Sequence, residues 1–220
     1  MKFDAVLFDC DGVLVDSEPL TIGVLRDMLA ERGWAMSQAE CMRLFVGKAV
    51  MDEAATIEAR TGQPLTEAWM LDFRARRNHA LQTQLQPIPH IHAALHAVHT
   101  AYAGRIACAS GADRIKVELQ LEKVGLANYF TGMVFSGHEM PRTKPWPDVY
   151  LAAAAALHVD PARCAVVEDT TTGVRAGVAA GATVFGYAPA TSQHVDAQAL
   201  RNAGAVHTFT SMDQLAGLLV

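Results

Sequence analysis

Ala5-Val6-Leu7-Phe8-Asp9-Cys10-Asp11-Gly12 is an unbroken apolar run that stops abruptly at acids and a glycine. That is the pattern of a buried strand ending in a loop. Five further runs of the same kind follow, at Arg105 to Ala109, Met133 to Phe135, Cys164 to Val167, Thr183 to Gly186 and Val206 to Phe209. Helical stretches alternate with them. Ile91, Ala94, Leu95 and Val98 repeat at helical spacing, and Val117, Leu119, Leu121 and Val124 predict a helix ending near Gly125. Pro147 reads as a helix-opening proline ahead of Val149 to Leu157, and Gly173 to Ala180 and Val195 to Ala203 supply later crossovers. The spacing of Gly173, Gly177 and Gly181 suggests close helix packing. Alternating strands and helices imply an α/β fold whose core is a doubly wound, Rossmann-like parallel sheet.

One stretch breaks the alternation. From Ser17 to about Leu85 there is no strand, only helical segments at Leu20 to Arg32, Ala39 to Phe45, Met51 to Arg60 and Glu67 to Leu81. The insertion follows the first strand and is rejoined through Gln86-Pro87-Ile88-Pro89. Residues 1–16 and 86–220 are therefore expected to form one α/β domain, and residues 17–85 a helical subdomain on two linkers, able to close over the sheet.

Composition narrows the partners. The chain has 220 residues, 51% apolar and 19% charged, which excludes disordered and collagen-like classes. With 18 Lys plus Arg against 23 Asp plus Glu, the formal charge of -5 disfavours nucleic acid or an anionic membrane as the main partner. The longest nearly continuous apolar run, Leu151 to Leu157, is roughly a third of a membrane span. Asp4 puts a charge inside the stretch a signal peptide would use. Cys10, Cys41, Cys108 and Cys164 are scattered, without a CxxC. These features fit a soluble protein of a reducing cytoplasm. No Walker loop, GxGxxG or fixed-period repeat is present.

In open parallel sheets the ligand crevice lies beyond the carboxyl ends of the strands. Polar residues gather at those ends: Asp9 and Asp11 after the first, Ser110 and Gly111 after the second, Glu168, Asp169 and Thr170 after the fourth, and Lys144 in a loop after the third. Taken singly, an acid is usually a helix cap, a serine a turn former and a lysine solvated. Together they describe a site. Asp9 and Asp11, two apart, are expected on one side, with Asp169 bringing a third carboxylate. Such crowding calls for a cation, and hard oxygen ligands suit Mg2+, which reserves positions for phosphate oxygens. Four carboxylates against one divalent ion and one lysine leave negative charge in excess, so one carboxyl is expected to keep a proton when a phosphate is bound. Phosphoryl transfer needs a nucleophile, neutralisation of the equatorial oxygens and a proton for the leaving group. Asp9 can attack, Asp11 can protonate the leaving alcohol and later activate water, and Lys144, flanked by Pro145 and Pro147, can join the Ser110 hydroxyl and backbone N–H groups in holding the phosphoryl oxygens.

These residues resemble the haloacid dehalogenase superfamily, in the branch with a helical cap after the first motif, over essentially the whole chain. Phe8-Asp9-Cys10-Asp11-Gly12-Val13-Leu14-Val15-Asp16-Ser17-Glu18 is similar to its nucleophile motif, Ala109-Ser110-Gly111 to its second, Lys144-Pro145-Trp146-Pro147-Asp148-Val149-Tyr150-Leu151 to its lysine motif, and Val166-Val167-Glu168-Asp169-Thr170-Thr171-Thr172-Gly173-Val174 to its acidic motif. The resemblance implies Asp9 as nucleophile and Mg2+ ligand, Asp11 as acid/base whose backbone carbonyl also binds the metal, Asp169 as third protein ligand and Glu168 as support of the metal shell. Asp11 argues for phosphate esters, because the dehalogenase and phosphonate-cleaving branches lack that acid. The group it looks closest to contains β-phosphoglucomutase and many sugar-phosphate phosphatases. Its mutases carry a His where this chain has Thr21 and an Arg just after the cap-loop glycine, where Gly47 is followed by Lys48-Ala49-Val50. That departure favours hydrolysis over mutation, with Lys48 the one candidate to replace the Arg.

The expectation is thus a phosphatase acting on a small phosphorylated metabolite, a sugar or sugar-acid phosphate, with Gly47 and Lys48 of the cap loop touching substrate. A mutase and a non-catalytic binding protein are the rivals, and a monomer is the simplest assembly. Arg74, Arg76 and Arg77 read as a solvated helix face, His92, His96 and His99 as exposed, and Trp34, Trp69 and Trp146 as packing residues.

Overall fold

The computed structural model describes residues 2–190 and 195–220. Six strands, β1 (Ala5–Phe8), β2 (Ile106–Ser110), β3 (Val134–Ser136), β4 (Cys164–Glu168), β5 (Thr183–Tyr187) and β6 (His207–Phe209), form one parallel sheet in the order β3-β2-β1-β4-β5-β6. Ten α-helices accompany them among the described residues: α1 (Glu18–Glu31), α2 (Gln38–Phe45), α3 (Ala54–Thr61), α4 (Glu67–Gln84), α5 (Ile91–Ala101), α6 (Arg114–Lys123), α7 (Asp148–Ala156), α8 (Thr171–Ala179), α9 (Ala197–Ala203) and α10 (Leu215–Leu219). None is long and apolar enough to cross a membrane.

The chain divides into two compact units, Met1–Asp16 with Gln86–Val220, and Ser17–Leu85. In the first, β1 is central, with Phe8 opposite Cys108 of β2 and Val167 of β4. The chain leaves β1 for β2 on one side and reaches β4 on the other, so the order reverses beside β1 and opens a crevice at its carboxyl end. Both chain passages at the unit's boundary are tied together: Asp16 N–H donates to Gln86 O at 3.0 Å and Ile88 N–H to Leu14 O at 3.1 Å. Every residue of β1, β2 and β4 is buried, as doubly covered strands require. Ala5, Leu7, Ala107, Val166 and Val184 pack with Val149 and Ala153 of α7 and Val174 of α8.

The glycine spacing in α8 has two explanations. A Cβ on Gly173 would lie 1.7 Å from Glu168 Oε1, and one on Gly177 would lie 2.7 Å from Val184 Cγ2, so these positions allow close approach of helix to sheet. Gly181 does not share that role. It stands beyond the helix at φ +87° with open space around it, a left-handed turn into β5.

The helical unit has its own core, with Ile22, Leu25, Met28 and Leu29 of α1 against Cys41, Phe45, Ile57 and Phe73, and Trp34 and Trp69 partly buried around them. Ser37 and Glu40 start α2 by exchanging hydrogen bonds, Ser37 N–H to Glu40 Oε2 at 2.8 Å and Glu40 N–H to Ser37 Oγ at 3.3 Å. The expected single segment Met51 to Arg60 is a 3-10 turn, Val50–Glu53, followed by α3. The arginine run is divided by helical geometry. Arg76 pairs at the surface with Glu31 and Asp72, Arg74 is exposed, and Arg77 is buried on the face of Phe73 and Leu81, where a solvated position was expected. Trp146 also departs from its expected packing role, being 52% exposed beneath the Arg142 guanidinium, 4.2 Å from its ring centre.

Candidate active site

Asp9 is the first residue past β1, and its N–H donates to Val167 O at 3.0 Å, which carries the sheet register one step beyond the strand. Its buried carboxylate meets Lys144, whose Nζ donates to Asp9 Oδ1 and to Glu168 Oε1, each at 2.6 Å. Glu168 closes β4 with no exposure, and both its oxygens are engaged. Oε1 also accepts from the Tyr150 hydroxyl at 2.7 Å, and Oε2 accepts from Asp169 N–H at 3.1 Å, Thr170 N–H at 3.2 Å and Thr170 Oγ1 at 3.1 Å. Lys144 is not a solvated lysine: its side chain is 8% exposed and its ammonium lies 4.8 Å from the Tyr150 ring centre.

Asp169, buried at the start of the β4–α8 loop, completes the cluster. Asp9, Glu168 and Asp169 each offer a carboxylate oxygen within 4.8 Å of the others. Gly12 makes room for it, since at φ +76° its Cβ would fall 1.9 Å from Asp169 Oδ2. Three buried carboxylates around one ammonium leave an excess of negative charge, and an all-oxygen donor set fits Mg2+ rather than zinc. The electrostatics agree with that crowding. Burial, with Glu168 and Asp11 nearby, raises the Asp9 carboxyl to about 7 against the pull of Lys144. Burial alone would lower Lys144, but Asp9 and Glu168 outweigh it and hold the ammonium well above its ordinary value.

Asp11 takes another direction. Its carboxylate does not join the cluster but is held by Lys116, whose Nζ donates to Oδ1 and Oδ2 at 2.8 Å each, and by Gln120, whose Nε2 donates to Oδ1 at 2.8 Å. The expected side-by-side placement of Asp9 and Asp11 assumed that strand periodicity continues past Phe8. Instead the chain coils at once, with the N–H groups of Leu14 and Val15 both donating to Cys10 O, at 2.9 and 3.2 Å. For metal binding, this leaves the backbone carbonyl of Asp11 as the group to consider.

Ser110 ends β2, buried, and its Oγ accepts from Ala112 N–H at 3.1 Å, the work of a turn former. Gly111 lies against the lysine loop: a Cβ there would be 3.7 Å from Thr143 Oγ1 and 3.9 Å from Lys144 Cδ. Thus Asp9, Ser110, Gly111, Lys144, Glu168 and Asp169 share one end of the sheet. Gly47 and Lys48 belong to the helical unit, in the turn after α2, and Lys48 Nζ is paired with Glu53 Oε1 at 2.9 Å. Thr21, on α1, has a buried Oγ1 with no hydrogen-bond partner among the described residues.

Three residues of this end of the sheet were not anticipated by the sequence reading. Tyr150 lies inside the lysine motif. Lys116 and Gln120 carried a readable signal, since with Val117 and Leu121 they form the buried stripe of α6, where polar residues require partners.

Comparison with known proteins agrees with this geometry. Residues 3–181 match the model of the haloacid dehalogenase-like hydrolase family, and the chain belongs to that family. The family is one of hydrolases, and several of the chain's relatives in it are named phosphatases. The chain is 30% identical over 186 residues to 6-phosphogluconate phosphatase of Escherichia coli, covering 84% of this chain and 82% of that one. It is 28% identical to the phosphorylated carbohydrates phosphatase of Thermotoga maritima, over 92% of each chain. Among solved structures, a HAD family hydrolase from Deinococcus radiodurans with bound phosphate and sodium superposes with a TM-score of 0.81 at 34% identity, over 100% of this chain and 98% of that one.

Proposed function

We propose that this protein is a Mg2+-dependent phosphatase that hydrolyses a small phosphorylated metabolite, a sugar or sugar-acid phosphate, through an aspartyl-phosphate intermediate. The observation that carries the reading is the Lys144 clamp, two 2.6 Å bonds that hold Asp9 and Glu168 together beside Asp169. Relatives named for 6-phosphogluconate and for phosphorylated carbohydrates support the substrate class.

Asp9 attacks phosphorus while the bond to the departing alcohol breaks, and Asp11 gives that oxygen its proton. Asp11 then takes a proton from the water that releases phosphate and regenerates the Asp9 carboxylate. Lys144 neutralises charge at Asp9 and on the transferring group, and the Ser110 hydroxyl with the backbone N–H groups beside it joins Lys144 in holding the phosphoryl oxygens. Asp9, Asp169 and the Asp11 carbonyl would hold Mg2+, with Glu168 as support; the ion supplies charge neutralisation and orients the phosphate oxygens. The helical unit is assigned the cap, with Gly47 and Lys48 as its substrate-facing turn. Thr21 and Lys48-Ala49-Val50, standing where mutases of the family carry a histidine and an arginine, support hydrolysis over phosphate migration.

The test is release of inorganic phosphate from a panel of phosphorylated metabolites, with and without Mg2+, by wild type and Asp9→Asn. Metal-dependent release that disappears in the folded variant is expected. Turnover by Asp9→Asn near the wild-type rate would remove the nucleophile, and phosphate migration within a sugar without release would establish a mutase.

A further inference from the structure

Lys116 and Gln120 stand one turn apart on the buried stripe of α6, beside Val117 and Leu121. Polar groups on such a face are costly unless satisfied, and both are satisfied by the same carboxylate. Lys116 donates to both oxygens of Asp11 and Gln120 to one of them, all at 2.8 Å. Gln120 has no exposure, and its Oε1 accepts from the Cys10 thiol at 3.6 Å, so its amide is oriented by the residue next to Asp11. The lysine side chain is 10% exposed and that of Asp11 23%, which distinguishes this pair from the loose ion pairs of an open surface. Three hydrogen bonds from two residues of one helix leave the carboxyl little rotational freedom.

We propose that Lys116 and Gln120 are positioning residues for Asp11. They set the direction of the carboxyl group that serves the leaving oxygen, without touching the reacting atoms themselves. The inference rests on the reading of Asp11 as the general acid and deepens it: α6 becomes part of the machinery that aims the acid, while Lys144 organises the nucleophile.

The test compares two esters of similar size, phenyl phosphate and 4-nitrophenyl phosphate. Phenoxide is a poor leaving group that needs the acid, and 4-nitrophenoxide departs with little help. The quantity to read is kcat/KM, which ends at departure of the alcohol and so excludes the later attack of water. Lys116→Met and Gln120→Met are each expected to lower kcat/KM for phenyl phosphate about tenfold to a hundredfold more than for 4-nitrophenyl phosphate, the scale of a misaligned reacting group. Asp11→Asn should show the same selectivity more strongly, and Lys116→Arg, which keeps a cation and its donors, should recover most of the loss. Two variants on different residues, each checked by its thermal midpoint, keep the test decisive if one fails to fold. Equal losses on both esters, or no loss, in Lys116→Met and Gln120→Met while Asp11→Asn stays selective would overturn the positioning role. An Asp11→Asn that loses equally on both esters would remove the acid reading and this inference with it.

Discussion

The Tyr150 hydroxyl donates to Glu168 Oε1 at 2.7 Å, and neither side chain reaches solvent. The same ring lies under the Lys144 ammonium, so one residue of α7 supports both partners of the clamp. Burial and the Glu168 charge hold its phenol well above the ordinary value, and it stays a donor at any working pH. Tyr150→Phe removes that donor and leaves Lys144 as the remaining donor to Oε1. A loss of about 1–3 kcal/mol is expected, read as a lower urea midpoint at unchanged slope. An unchanged midpoint would mean that the bond contributes nothing to stability.

Gly173 is the second structural lever. Its missing side chain makes room for a Glu168 carboxylate whose oxygens are held by Lys144, Tyr150, Asp169 and Thr170, so the neighbour cannot simply swing away. Gly173→Ala should therefore cost about 1–3 kcal/mol or more by overpacking. It should also weaken Mg2+-dependent phosphate release. A variant with wild-type thermal midpoint and activity would show that the loop gives way freely.

The pH dependence of the metal-free protein follows from Asp9. Its carboxyl titrates near 3.8 when free and at about 7 in the fold, so between those values the folded state keeps a proton that the unfolded chain has released. Its contribution to stability is complete below the lower value and is lost as pH rises towards the upper one. In chelator, urea unfolding should show stability falling across this window, and Asp9→Asn should flatten that part of the profile. An identical profile in both proteins would assign the slope to other groups.

Mg2+ should stabilise the fold. A ligand that binds only the native state adds about 2.7 kcal/mol at a hundredfold excess over its dissociation constant, so the thermal midpoint should climb with Mg2+ concentration. Asp169→Asn removes one of the three clustered carboxylates and should abolish the climb. A midpoint indifferent to Mg2+ in the wild type would mean that the cluster does not take the ion.

Much of this organisation is local in origin and legible in the chain. An apolar run that halts at polar residues marks both a strand and its carboxyl end, which is how the sequence places Asp9, Ser110 and Glu168 at one end of the sheet. The strand boundaries shift by a residue or so: β2 begins at Ile106 and β6 at His207, as chain ends of strands fray into turns. Lys144 was legible as a framed cation, but its burial was not, because burial depends on what two distant strand ends bring to it.

The alternation of strands and helices, the helical insertion after Asp16 and the polar strand ends are determined by the sequence alone, since hydrophobic periodicity and breaker residues act within a few positions. What the tertiary structure decided is which groups meet. Asp11 turns from Asp9 to Lys116, 105 residues away, and Glu168 finds Lys144 and Tyr150 on a different loop and helix. Those pairings arise from the stacking of α6 and α7 against neighbouring strands. A buried charge takes whichever partner the packing delivers, and no local pattern records that choice.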